Sequence, residues 1–447
     1  MMSIKVRVAP SPTGRLHIGN ARAALVNYLF ARKEGGHFML RMDDTDLERS
    51  TAEFEDFIKK DLSWLGLKWD SYARQSDRMG RYQEVFEKLK AMGRLYPAYE
   101  TPEELEIKRK IQLSRGLPPI YDRAALKLSD AEKKKLEAEG HKPHWRFLLK
   151  HEAVEWNDLV RGPTHFEGSN LTDPVFFRAD LQPVYMLASV VDDGDFAISH
   201  VIRGEDHVTN TAVQIQLWQA LGFPVPQFGH FAMIVDASGE KFSKRLGSMS
   251  LQNLRDEGIE AMAICSLLAR LGTSDPVVPR ATIEELAGEF DLSTFGRARA
   301  KFDKNDLLML NAKILHLTSY AEVKERLAQI NLGHITEEFW NAVRGNLNKL
   351  SDIKEWWDVC HQAITPVIED QSFITEAATL LPAEPWDVKT WNQWVEAVKN
   401  KSGRKGKALF MPLRKALTAR EHGPELAGLL PFIGRDKSLA RLSGKAA

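Results

Sequence analysis

Two short stretches of this chain have the residue types and spacing to handle a phosphate. SPTGRLHIGN, residues 11–20, sets Pro12, Gly14, His17 and Gly19 between the apolar run IKVRVA and an amphipathic segment. A strand that ends, a Pro and Gly turn, and a helix starting near His17 or Gly19 aim backbone N–H groups and a helix N-terminus at one point, which suits an anion. Gly14 and Gly19 would let the backbone approach a ligand more closely than a Cβ allows, and the His17 imidazole can donate to an oxygen whose charge grows in a transition state. SGEKFSKRLGS, residues 238–248, packs Lys241, Lys244 and Arg245 around Ser243 after an apolar run. A capped Gly-rich turn and a solvated basic loop are the plain readings of each alone. Together they supply what a triphosphate needs: a helix terminus on one side, and ammonium groups for the departing pyrophosphate on the other.

The elements around these stretches must hold them in place. IKVRVA reads as a short strand ended by Pro10 and Pro12, and ARAALVNYLFARK places Ala24, Leu25, Tyr28 and Leu29 on one helical face before Gly35 and Gly36 stop it. HFMLRM reads as a second strand. In DDTDLERSTAEFEDFIKKDLSWLG, Thr45 or Ser50 caps a helix carrying Phe54, Phe57, Ile58 and Leu62. Strand, helix, strand, helix predicts a parallel sheet. Charged helices such as TPEELEIKRK and LSDAEKKKLEAEG, with short strands such as HWRFLL, mark residues 85–180 as an insertion. The strand-like runs VYMLASVV, FAISHVIR and FGHFAMIV then complete the first sheet. Helical patterns dominate from about residue 250, and Trp356, Trp357, Trp386, Trp391 and Trp394 predict a separate helical core.

At 447 residues the chain exceeds one ordinary core, so two to four domains are expected. With 43% hydrophobic and 27% charged residues it reads as globular and not disordered. Neither a signal core nor a run of about eighteen apolar residues is present, which points to the cytoplasm and away from membranes. Cys265 and Cys360 are too few for a disulfide framework or a zinc site, predicting two free thiols. The 61 basic residues balance the 61 acidic ones, yet from Lys401 onward eleven Lys and Arg face only Glu421, Glu425 and Asp436. That excess suits phosphates, or a solvated helical surface.

LHIGNAR resembles the HIGH signature and EKFSKR the KMSKS signature of the class I aminoacyl-tRNA synthetases. APSPTGRLHIGNAR, RMDDTD, HVIRGEDH and KFSKR, in that order, are similar to the glutamyl branch. GLKWD with QSDR, PPIYD, FDKNDLLMLN and GKALFMPLRKALTAREHGPEL extend the resemblance over nearly the whole chain. The resemblance implies an α/β fold: a Rossmann-type catalytic domain with an α/β acceptor-binding insertion, followed by an all-α C-terminal anticodon-binding domain. The implied parts are residues 1–84 and 181–238 for the two catalytic halves, 85–180 for the acceptor-end insertion, 239–315 for the KMSKS loop and a stem-contacting helical region, and 316–447 for the anticodon-binding domain. It implies glutamyl-tRNA synthetase activity: ATP and L-glutamate give glutamyl adenylate and pyrophosphate, and the glutamyl group passes to the terminal adenosine of tRNA-Glu. Charging of tRNA-Gln as well is left open.

Residue by residue, the resemblance assigns His17 and Lys244 to stabilising the reacting α-phosphate and the pyrophosphate. ATP contacts fall on Gly14, His17, Gly19, Asn20, Gly204, Glu205, Asp206, Lys241, Ser243, Lys244 and Arg245. Arg7 and Arg203 match the carboxylate-binding arginines, Ser11 and Tyr185 line the same pocket, and Asp43, where the family commonly has glutamate, would bind the α-ammonium. Mg2+ is expected with ATP. Ala98 and Glu100 stand where many relatives have zinc-binding cysteines, so no zinc and no protein-bound metal is expected. Arg404, Lys405, Lys407 and Arg414 are candidate tRNA contacts, with Leu409, Phe410 and Leu413 mostly in the core. A monomer is implied. A sibling that glutamylates a tRNA base lacks the long helical C-terminus, a glutaminyl enzyme ends in β-barrels, and a small-molecule adenylyltransferase leaves residues 316–447 unexplained. A catalytically silent, RNA-binding paralogue is the remaining alternative.

Overall fold

The computed structural model of the protein describes residues 3–236, 238–240 and 249–447. Its first unit comprises residues 1–255, 264–278 and 282–303, and its second residues 256–263, 279–281 and 304–447.

In the first unit β1 (Lys5–Val8), α1 (Ile18–Lys33), β2 (His37–Met42) and α2 (Ala52–Trp64) follow in the expected order, and β3 (Ser71–Arg74), which the sequence reading did not single out, comes next. The three strands pair in parallel as β1-β2-β3. The predicted face of α1 is buried, but so are Ala21, Val26, Asn27 and Ala31, as befits a helix enclosed on several sides. Thr51 caps α2, in place of the expected Thr45 or Ser50, because its hydroxyl accepts from Phe54 N–H at 3.2 Å.

Next in sequence come α3 (Met79–Ala91), β4 (Leu95–Ala98), α4 (Pro102–Ser114), α5 (Asp130–Ala138), β5 (His144–Phe147), β6 (Val154–Asp158), β7 (Gly162–Phe166) and β8 (Val175–Phe177). β4, β5 and β8 form one antiparallel sheet and β6 with β7 a hairpin. Ala98 packs with Tyr96 and Ala125, while Glu100 accepts from the Tyr121 hydroxyl at 2.7 Å.

VYMLASVV is a helix, correcting the expectation of a strand: α6 spans Tyr185–Asp195. A short continuous apolar run fits either element, and here Leu187, Ala188, Val190 and Val191 pack at helical spacing in the core. β9 (His200–Gly204), α7 (Val208–Leu221) and β10 (Gln227–Phe231) follow, with β9 and β10 parallel. Ser199 N–H donates to Lys5 O at 2.9 Å and sets the start of β9 beside β1, but β9 and β10 form a two-stranded sheet of their own and do not complete β1-β2-β3 as expected. β11 (Ile234–Asp236) pairs with β12 (Ala300–Phe302), and α8 (Leu251–Asp256), α9 (Ala261–Arg270) and α10 (Ile283–Glu289) lie between them in sequence.

The second unit is helical: α11 (Lys304–Leu317), α12 (Tyr320–Gln329), α13 (Glu337–Val343), α14 (Ile353–His361), α15 (Gln371–Thr379), α16 (Thr390–Ser402), α17 (Lys407–Thr418), α18 (Leu426–Ile433) and α19 (Arg435–Leu442). Trp340, Trp356, Trp391 and Trp394 are buried in its core, with Trp357 and Trp386 packed against it. Leu409 and Leu413 are buried as expected, but Phe410 is 45% exposed: on α17 it faces away from the stripe those leucines define. Among the described residues no helix is long and apolar enough to cross a membrane, and both cysteines are free and buried.

Candidate active site

The ends of β1 and β9 and the start of α1 enclose a cleft of about 450 Å³. Of the expected residues, Arg7, His17, Gly19, Asn20, Tyr185, Arg203, Gly204 and Asp206 line it. Met249, where the described chain resumes, lines it too. Ser250 bridges to His17, and Leu251 N–H donates to Leu16 O at 2.9 Å, so the segment from Met249 onward is fastened to the first signature. Lys241, Ser243, Lys244 and Arg245 lie outside the described residues.

His17 is the N-cap of α1. Its Nδ1 accepts from Gly19 N–H at 3.0 Å, and Asn20 Oδ1 accepts from His17 N–H at 3.4 Å, completing a capping box. With Nδ1 an acceptor, the proton of the neutral ring sits on Nε2. Burial pushes the imidazole pKa below 6.5, since a charged ring would lose solvation and would sit at the positive end of a helix dipole. The side chain is therefore a neutral donor at neutral pH. A Cβ on Gly19 would lie 2.9 Å from His17 Cε1, whereas one on Gly14 would meet nothing within 4 Å. Gly19 is needed for the cap itself, and Gly14 is not constrained by protein neighbours. A Cβ on Gly204 would come within 2.5 Å of Asp206 Oδ1.

The two arginines differ in their partners. Arg7 Nε donates to Asp193 at 3.0 Å. Arg203 is buried, and among the described residues its hydrogen-bond partners are neutral: Thr211 Oγ1 and Gln214 Oε1, both at 2.7 Å, His230 Nε2 at 3.3 Å, and the Tyr185 hydroxyl. Burial without a carboxylate in contact lowers its pKa. Such a guanidinium favours an anion in the cleft.

Other expected residues stand apart from the cleft lining. Asp43 is buried and gripped by Arg41, with Nε donating to Oδ1 at 2.6 Å and Nη2 to Oδ2 at 3.1 Å. Glu205 accepts from Met233 N–H at 3.2 Å and from Arg161 at 3.0 Å, bracing the chain beside the cleft. Ser11 and Gly14 are in the preceding turn, and Ser11 is exposed.

Sequence reading missed the buried ionic layer behind Arg7. Arg41 Nη1 donates to Asp193 at 2.7 Å, and Asp192 accepts from Gln75, Arg78 and Tyr82. Reading α6 as a strand hid both aspartates, although the acidic pair in VVDDGD directly after an apolar run was the available signal. His207, its pKa lowered to about 4 by burial and by Arg203, also lines the cleft beside Tyr185. Arg22 joins α1 to the strand ends by donating to Ala232 O at 2.6 Å and Leu271 O at 2.7 Å, its pKa lowered by burial to about 10.

In the second unit Arg404 bonds Asp370 and stacks over Phe373, and Arg414 donates to Pro424 O at 2.9 Å. Both are used internally. Lys405 and Lys407 are exposed beside Phe410.

Gly19→Ala should cut pyrophosphate exchange at least tenfold by displacing His17, with Gly14→Ala near wild type; equal effects would contradict the cap geometry. Protonation of His17 removes the Nδ1 acceptor, so its contribution is full above pH 6.5 and is lost as pH falls through the lowered folded-state value. A pH–rate profile with no acid limb, or one that Gly19→Ala leaves unshifted, would count against this role.

The family model for the tRNA synthetases class I (E and Q) catalytic domain matches residues 3–309, and that for an anticodon binding domain matches residues 316–445. The chain is 57% identical to a glutamate–tRNA ligase of Azospirillum brasilense, over 100% of both chains. It is 55% identical to glutamate–tRNA ligase 1 of Rhodospirillum rubrum, also over 100% of both. A glutamate tRNA ligase of Elizabethkingia meningosepticum, solved in complex with its amino acid, superposes with a TM-score of 0.84 at 27% identity over 98% of each chain. With a histidine N-cap and a strand-end arginine at one cleft, and with these full-length matches, the chain belongs to the class I tRNA synthetases of the glutamyl and glutaminyl branch.

Proposed function

We propose that this chain is a glutamate–tRNA ligase, using ATP to activate L-glutamate and passing the glutamyl group to the 3′-terminal adenosine of tRNA-Glu. One observation carries the reading beyond family membership. Arg203, a buried cation with no carboxylate in hydrogen-bond contact among the described residues, shares a cleft with the neutral donor His17.

Glutamate would enter with a carboxylate on Arg203, Arg7 close by, and Tyr185 over the opening. Asp43 would act on the ammonium group as a neighbouring negative charge, sharing its oxygens with Arg41. The α-carboxylate attacks the α-phosphorus of ATP, the bond to the bridging oxygen of pyrophosphate breaks, and the adenylate forms. Nε2–H of His17 and the α1 N-terminus stabilise charge on the phosphate oxygens, and Lys244, assisted by Lys241, Ser243 and Arg245, neutralises the pyrophosphate. Asn20, Gly19 and Gly14 shape the phosphate side; Gly204 and Asp206 meet the nucleoside, with Glu205 bracing them. Ser11 completes the entrance to the amino-acid pocket. ATP enters as its Mg2+ complex, the ion neutralising phosphate charge. Among the described residues no group of three or more His, Cys, Asp or Glu is placed to hold a metal, so no side chain is assigned to it.

Residues 85–180 would hold the acceptor end, 239–315 the stem, and 316–447 the anticodon, with the two catalytic halves at 1–84 and 181–238. Lys405 and Lys407 are the best placed of the four basic candidates, with Phe410 available to stack on a base. A cytoplasmic monomer serving translation completes the reading.

Purified protein should exchange pyrophosphate into ATP only with glutamate present, and tRNA addition tests whether bound RNA is also required. His17→Ala and Lys244→Ala should each lower exchange roughly 10²–10³-fold. No exchange under any condition would leave a silent RNA-binding paralogue. Side-by-side charging of tRNA-Glu and tRNA-Gln decides the acceptor. Replacing Lys405 and Lys407 together by Ala should flatten the salt dependence of tRNA binding by about one to two in log–log slope, while an unchanged slope removes them from the interface.

A further inference from the structure

The hairpin β6–β7 delivers a carboxylate to the underside of the arginine that faces the cleft. Asp158, at the end of β6, is 2% exposed. Its Oδ1 accepts from the backbone N–H of Val160 at 3.1 Å, and of Arg161 and His230 at 3.0 Å each. Its Oδ2 accepts from Trp156 Nε1 at 3.3 Å and from His230 Nδ1 at 2.5 Å. Five donors on one carboxylate keep it ionised, and they hold it well below the usual carboxylate range. The hairpin is itself tied to β10 through Leu159 N–H to Phe228 O at 2.8 Å.

That carboxylate decides the state of His230. The ring is fully buried on β10, and with its proton on Nδ1 toward Asp158, Nε2 is a bare acceptor. Facing Nε2 are Arg203 Nε at 3.3 Å and Thr211 Oγ1 at 2.9 Å. The opposite tautomer, or a protonated ring, would set a second N–H against the guanidinium. Arg203 Nη2 is meanwhile fixed by Thr211 and Gln214. The Tyr185 hydroxyl also lies against the guanidinium at the cleft lining, so the cleft-facing edge of the fork is shared between Tyr185 and whatever enters.

We propose that His230, locked by Asp158 as an Nε2 acceptor, is the positioning residue that orients Arg203 for the carboxylate of the amino-acid substrate. The proposal rests on the reading of Arg203 as a glutamate contact. His230 touches neither substrate, and its effect is confined to the amino-acid side of the cleft.

Two half-replacements separate the ring's functions. His230→Asn retains a donor for Asp158 and removes the acceptor; His230→Gln sets an amide oxygen near the Nε2 position and gives up the donor. In aminoacylation of tRNA-Glu by the full chain, His230→Asn should raise KM for glutamate roughly tenfold, with KM for ATP and kcat at saturating glutamate within about twofold. His230→Gln should recover most of that loss. Equal KM increases for glutamate and ATP, or wild-type KM for glutamate in His230→Asn, would overturn the proposal. Arg203→Gln is the control: if it leaves KM for glutamate unchanged, the reading of Arg203 fails; if it raises KM and His230→Asn does not, the positioning role alone fails. Should His230→Asn not fold, ¹⁵N-histidine NMR of the unmodified protein decides the matter. A protonated Nδ1 and bare Nε2 on His230 at neutral pH are expected, and a proton on Nε2 refutes the proposal.

Discussion

Burying a guanidinium is costly unless every N–H finds an acceptor and the charge finds a counter-ion. The first unit meets that demand with carboxylates for some arginines and with neutral acceptors for others. Arg7 and Arg41 share Asp193, Arg41 grips Asp43, and Asp192 takes Gln75, Arg78 and Tyr82. These contacts join β1, β2, α3 and α6 into a closed ionic layer. Arg22 and Arg203, which also line the cleft, are given neutral acceptors, so their charge is open to an anion that enters.

The phosphate side works on the opposite principle. A neutral imidazole, whose tautomer is set by one backbone N–H, adds a donor to those of the helix terminus. Gly19 is required there because His17 folds back over it, which ties the glycine to the histidine and not to the ligand. Asn20 contributes to the cap, which gives its side chain a local purpose where the general signature has a second histidine.

Positive charge in the second unit also divides by environment. Arg441, Arg435 and Lys437 donate to backbone carbonyls, Lys415 and Arg420 to carboxylates, and Arg404 and Arg414 to groups within the bundle. Most of the local excess of Lys and Arg therefore serves to fasten helices α14 to α19. A charge count along the chain cannot separate these uses, because each depends on which carbonyl or carboxylate another helix brings near.

Local order was legible where one short-range rule decided it. The strand, turn and helix around His17 follow from Pro and Gly placement, the parallel β1-β2 pairing from alternating elements, and the helical second core from its tryptophans. Periodicity failed at residues 184–191, where a mainly apolar run interrupted only by Ser189 suits a strand or a helix equally, and that error concealed Asp192 and Asp193. By itself the sequence determined the identities of the reactive groups and the elements that carry them, since these depend on neighbours a few positions apart. Only the tertiary structure decided which charges are spent. Asp43 goes to Arg41, Glu205 to Arg161 and Met233, and Asp158 to His230, while Arg203 keeps none, because a counter-ion is chosen by distance in space and by burial, and neither is written in the order of residues along the chain.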